Sequence, residues 1–172
     1  MPVYALGDHV PQIHPDAYVH PDAVVIGQVA IGAQSTVWPT VVLRGDDGRI
    51  EIGSRTSVQD GTIVHTTATL PTHIGDACVI GHNAHMEGCT IEDGSLVGSG
   101  SVVLHGAVVR TGALVGANAV VPNGMEVPSG AMALGVPATI RPDVVAPGAF
   151  EAAVASYVER GRRFRTELRR VD

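Results

Sequence analysis

The chain has 172 residues, of which 45% are hydrophobic but only 3% aromatic and 16% charged, with 21 Gly and 11 Pro. So much Gly and Pro excludes a helical bundle, and the wealth of Val, Ile, Leu and Ala excludes disorder. A net charge of −6 argues against nucleic acid as the main partner.

No apolar run reaches the roughly 20 residues of a membrane span, and the opening MPVYALGDHVP lacks the features of a signal peptide. A cytoplasmic chain with no membrane partner, holding Cys78 and Cys89 reduced, is therefore expected. All 11 basic residues are Arg.

A six-residue period runs along most of the chain. It begins Ile13, Val19, Val25, Ile31, Val37, Leu43, and a small or β-branched residue follows four positions after each of the first five. The phase is lost over Asp46–Glu51 and resumes at Ile52, Val58, Val64. It is lost again over Thr66–His73 and returns at Ile74, Ile80, Met86. One residue is dropped, and the series continues from Ile91 through Val97, Val103, Val109, Val115, Val121 and Val127 to Ala133. Partners at plus four include Cys78, Ala84, Thr90, Ser95, Ser101 and Ala107.

A helix repeats near 3.6 and a half-buried strand near 2; six means a short strand plus a turn. Three such units close into a triangular coil, and stacked coils pair in parallel at about 4.8 Å. Large aliphatics and small partners point inward to form a thin core with little room for aromatics. A β-sandwich would need longer alternating runs. The expected fold is therefore an all-β parallel β-helix over residues 1–142. Residues 143–172 form a linker and a C-terminal helix over Ala152–Leu168, packed back on the coil and capping an edge. Six of the Arg lie between Arg160 and Arg170, a solvated helix face.

With three hexads to a coil, every third hexad shares a face. One outward column then reads Ile26, Arg44, His65, Glu87, Leu104, Pro122. On a neighbouring face Gln59 and Asp60 stack below Gly81 and His82. If chains meet around a threefold axis, the two clusters share one site across a heterologous interface. A His from each chain plus a third donor, Glu87 or His85, makes a catalytic zinc set with one position open. His9, His14, His20, His73 and His105 are expected on the surface or in loops. Cys78 points inward, and Cys89 lies on a turn.

The segments VWPTVVLRGDDGRIEIG, TSVQDGTIVH, IGDACVIGHNAHMEGCTI and ALGVPA resemble the γ-class carbonic anhydrases of the hexapeptide-repeat superfamily, over roughly residues 3–142. The resemblance implies a left-handed β-helix and a homotrimer. It implies zinc (or iron or cobalt) held between subunits by three His, and reversible hydration of carbon dioxide to bicarbonate. It makes His65 the first ligand and His82 the one lent to the neighbour. Arg44 and Asp46 become the pair holding subunits together, and Gln59 and Asp60 the residues that contact the zinc-bound water and orient the ligand shell.

The family's third His, five residues after the second, is replaced by Glu87 in GHNAHMEG. The short loop Asp46–Arg49 offers Asp47 in place of the family's proton-passing glutamate. Glu87 either ligates zinc, or leaves that place to His85 and accepts protons, or the site is empty and Glu87 pairs with Arg44 in its own column. An anionic ligand would raise the pKa of bound water. Two other functions fit the superfamily. One is an acyltransferase using coenzyme A, with His105 as base and Arg on the phosphates. The other is a non-catalytic trimer that binds a metal or small ligand.

Overall fold

A computed structural model describes residues 2–172. It is a left-handed parallel β-helix followed by one helix; the hexads imply the coil, and the resemblance its hand. The core holds the aliphatics of the period, with Val25, Val37, Leu43, Val58, Val64, Ile80, Met86, Val97, Val103 and Val121 all buried. The small partners fill the corners: Ala23, Val41, Ala84, Ala107, Ala113 and Ala119 are buried too. Where a corner carries a hydroxyl it bonds a turn carbonyl inside the coil. Thr56 Oγ1 donates to Gly75 O at 2.7 Å and Ser95 Oγ to Arg110 O at 2.9 Å.

Three faces result. The first stacks strands Ile63–His65, His85–Glu87, Val102–Val103 and Val120–Val121 on the start of Val42–Ile52. The second stacks Thr72–Ile74, Thr90–Ile91, Val108–Val109 and Glu126–Val127 on the end of that same strand. The third runs from Tyr18–Val19 through Thr36–Val37, Ser57–Val58, Val79–Ile80, Leu96–Val97 and Leu114–Val115 to Met132–Leu134. There the antiparallel strand Thr139–Arg141 folds over the end.

The structure corrects several expectations. Asp46–Arg49 is not a loop but part of the continuous strand Val42–Ile52. Its ladder with Val24–Ile31 shifts register, so that residues 46–49 stand opposite Gln28 alone. The bulge is possible because Gly27, at φ +74°, faces Gly45, and a Cβ on Gly27 would collide with the Gly45 carbonyl. In the hexad that drops a residue, buried Cys89 takes the inward place expected of Thr90. Burial pushes the thiols of Cys78 and Cys89 up to about 12.

The helix spans Glu151–Glu167 and lies along the third face rather than capping an edge. Gly161 lets it approach closely, since a Cβ there would sit 2.5 Å from Thr36 Cγ2. Phe164 packs edge-on against Trp38, ring centroids 5.0 Å apart, and against Tyr18 at 6.0 Å. Trp38 Nε1 donates to Thr36 Oγ1 and Ser57 Oγ, both at 3.0 Å. Among the described residues no helix is long and apolar enough to cross a membrane.

Replacing Gly27 with Ala should destabilise the fold far more than replacing Gly94, which has φ +65° but open space where a Cβ would stand. Left-handed strain alone costs about 1–2 kcal/mol; Gly27→Ala adds a backbone collision. Chemical denaturation of both variants checks this, and equal losses would contradict it.

Candidate metal-binding face

The first face carries the expected column. Ile26 pairs in register with Arg44, Arg44 with His65, and His65 with Glu87. Adjacent coils thus hold the imidazole and the carboxylate side by side, and His65 Nδ1 donates to Glu87 Oε1 at 2.9 Å. The other ring nitrogen, Nε2, donates to Asp46 Oδ1 at 3.0 Å. An ionised carboxylate only accepts, so both bonds together need a ring carrying both protons. Asp46 reaches His65 because the bulge lifts it out of the hexad pattern.

Arg44 does not pair with Glu87. Its guanidinium meets Asp46 of the same chain. Burial alone would raise the Asp46 carboxyl, but the bonds from Arg44 and His65 outweigh it and hold it below its ordinary 3.8. Burial likewise pulls Glu87 upward, and the His65 bond and the His105 imidazole hold it below 4.5.

His85 lies on the same strand as Glu87, with Nε2 3.5 Å from Glu87 Oε2. It flanks the carboxylate and does not replace it beside His65. Asp47 is exposed on the bulge. On the third face Gln59 is only 4% exposed, and His82 Nδ1 sits 2.9 Å from Asp60 Oδ2. A carboxylate behind an imidazole is the usual support of a metal-binding His, fixing its orientation and leaving the other nitrogen to bind.

The donor chemistry can be tested against zinc. Two ligands of a tetrahedral zinc, each about 2.0–2.2 Å from it, stand about 3.3–3.5 Å apart. His65 Nδ1 and Glu87 Oε1, at 2.9 Å, need to part only slightly. Among the described residues no three His, Cys, Asp or Glu of one chain form a metal-holding group. The spacing of His65 and Glu87 fits two ligands of one zinc. Beside them the outward column Val24, Val42, Ile63, His85, Val102, Val120 is apolar except at His85, and this chain leaves it partly or fully exposed.

A family model of bacterial transferase hexapeptide repeats (six repeats) matches residues 71–105. The crystal structure of the BC4754 gene product of Bacillus cereus superposes with a TM-score of 0.94 at 30% identity, covering 96% of this chain and 98% of that one. The chain belongs to the hexapeptide-repeat family. A hexapeptide transferase family protein from Anaplasma phagocytophilum is similar over 95% of this chain and 98% of its own, with a TM-score of 0.90 and 30% identity.

Two further hexapeptide-repeat relatives match part of their length. Gamma carbonic anhydrase 2, mitochondrial, of Arabidopsis thaliana is 45% identical over 102 residues, 56% of this chain and 37% of that protein. Carnitine operon protein CaiE of Escherichia coli is 42% identical over 103 residues, 60% of this chain and 53% of that protein. The match spans about half or less of both.

Sequence reasoning missed one residue of this face. His105, expected on the surface or in a loop, brings Nε2 to 3.5 Å from Glu87 Oε1. It sits two places after its hexad's aliphatic, Val103, where Leu104 holds the column position. The signal was its place directly above Gly88, whose carbonyl accepts from Gly106 N at 2.7 Å. The other four His stay apart: His14 and His20 accept from nearby backbone, His9 contacts Gln28 and His73 contacts Glu51.

A carboxylate with a lowered folded value stabilises the fold above its unfolded value, and that stability is lost as pH falls through the folded one. In metal-free protein, Glu87 and Asp46 should thus withdraw stability as the pH falls below their ordinary values of 4.5 and 3.8. Melting temperatures between about pH 6 and pH 3 should fall less steeply for Glu87→Gln than for the parent. Parallel curves would refute the His65–Glu87 pairing.

Proposed function

We propose that the chain is a γ-carbonic-anhydrase-like metalloprotein that assembles as a homotrimer and reversibly hydrates carbon dioxide to bicarbonate. Zinc is the expected metal, with iron or cobalt able to take its place. The observation that carries this reading is the pair His65 and Glu87, 2.9 Å apart on adjacent coils, with His82 backed by Asp60 on a different face. His65 and Glu87 of one protomer and His82 of an adjoining one would hold the ion. The column beside the pair, apolar except at His85, supports burial against that protomer. The similarity to the Arabidopsis protein over 102 residues supports the same reading.

Zinc in such a site supplies a Lewis acid that makes hydroxide available near neutral pH. The chain's own groups do the rest. Asp60 orients the His82 ring. The buried Gln59 amide orients the attacking oxygen by hydrogen bonding. Glu87 ties the shell to its own coil, and its negative charge moves the working range to higher pH than three imidazoles would give. Exposed Asp47 takes the released proton to solvent. Arg44 balances Asp46, which keeps His65 in place through Nε2.

A second reading, acyl transfer from coenzyme A, rests on the hexapeptide transferase relative and on His105 as base. Saturable coenzyme A binding by metal-free protein would support it.

Metal analysis of chelator-treated and reloaded protein should give about one zinc per chain. His82→Ala should abolish loading, and Asp60→Asn should weaken it about 10–100-fold. Zinc retained at full stoichiometry in His82→Ala would overturn the shared site. Stopped-flow hydration assays test the activity. Glu87→His should shift the pH–rate profile to lower pH; an unchanged profile would count against Glu87 as a ligand.

A further inference from the structure

Three imidazoles surround the Glu87 carboxylate, but only one hydrogen-bonds it. His65 Nδ1 donates to Oε1 at 2.9 Å, His85 Nε2 stands 3.5 Å from Oε2, and His105 Nε2 stands 3.5 Å from Oε1. His105 is the unusual one. Its Nε2 is closed off from solvent and has no hydrogen-bond partner, a condition that destabilises a fold.

The ring lies over Gly88, next to the second break in the hexads. A Cβ on Gly88 would lie 2.9 Å from Leu70 Cβ and 3.1 Å from His105 Cδ2, so the loop and the ring meet over that glycine. The loop itself is pinned: Thr66 Oγ1 donates to Leu70 O at 2.7 Å, and Leu70 N donates to Thr67 Oγ1 at 3.1 Å.

A metal on this face changes the partners of Glu87. A metal held by His65 Nδ1 and Glu87 Oε1 would stand between them, and their direct 2.9 Å contact would be lost. Glu87 then lacks a donor, and carboxylates that bind metals are usually themselves hydrogen-bonded. His105 Nε2 needs to move only about half an ångström to reach ordinary hydrogen-bond distance.

Resting on the metal reading above, we propose that His105 is a positioning residue whose Nε2–H donates to Glu87 when Glu87 and His65 hold a metal. Without metal its donor stays unpartnered; with metal it fixes the carboxylate. His105 does not touch the ion, and the proposal concerns affinity and ligand geometry rather than the hydration step.

The test uses the full chain in its native assembly, with zinc and cobalt(II) affinities measured by competition against a chromophoric chelator. His105→Phe keeps a ring but has no donor, while His105→Gln keeps a donor. His105→Phe should bind about 10–100-fold more weakly and show an altered cobalt(II) visible spectrum. His105→Gln should recover most of the affinity and the parent spectrum. The metal-free melting temperature of His105→Phe serves as the folding control. If it does fall, comparison of His105→Gln with the parent decides, and weak binding by a stably folded His105→Gln overturns the proposal. Equal binding by His105→Phe and the parent overturns it alone. A parent protein that binds neither metal removes the metal reading and this proposal together.

Discussion

Parallel stacking in register is the constraint on which the molecule depends. Each coil must set its aliphatic on the aliphatic of the coil beneath, or the thin core opens to water. Leu43, Val64, Met86 and Val103 obey this along one face, all fully buried. The same register that keeps them inside keeps their outward neighbours aligned, so one imidazole and one carboxylate 22 residues apart in sequence come to 2.9 Å. Chemistry on such a scaffold comes from what is stacked, with no need for a mobile loop to bring groups together.

Irregularities in the period do the finer work. The bulge after Gly45 turns four residues out of the repeat and places Asp46 against His65 Nε2. The loop after His65 brings Leu70 over Gly88, beside which the His105 ring also lies. Thr72 Oγ1, which donates to the His65 carbonyl at 2.5 Å and accepts from Gly88 N at 2.8 Å, then ties the coils together again. Both interruptions border the polar cluster, while the uninterrupted hexads from Ile91 onward are mostly plain scaffold.

The fold was legible because the period leaves almost no freedom. Counting in sixes placed Arg44, His65 and Glu87 in one column and Asp60 under His82 on another face, as the strand pairing has them. What counting could not reach lay where the count breaks. Asp46 pairs with Arg44 and His65 because a strand continues through the bulge, and no hexad position describes that. Cys89 replaced Thr90 in the core because the dropped residue moved the inward place by one. His105 stood outside the column by one position, and only the ring's packing over Gly88 reveals that it belongs with Glu87. The helix face was read from its periodicity, but its aromatic seat on Tyr18 and Trp38 depends on Gly161 lying against Thr36.

The antiparallel strand Thr139–Arg141, laid over Met132–Leu134 at the end of the third face, has a consequence for behaviour in bulk. A solenoid ends in a row of unsatisfied peptide groups, an open template onto which another solenoid can add. Reversing the chain direction at the last rung takes up those groups with a partner that no parallel coil can extend. On that face the polypeptide itself closes the last rung to addition by a further parallel coil.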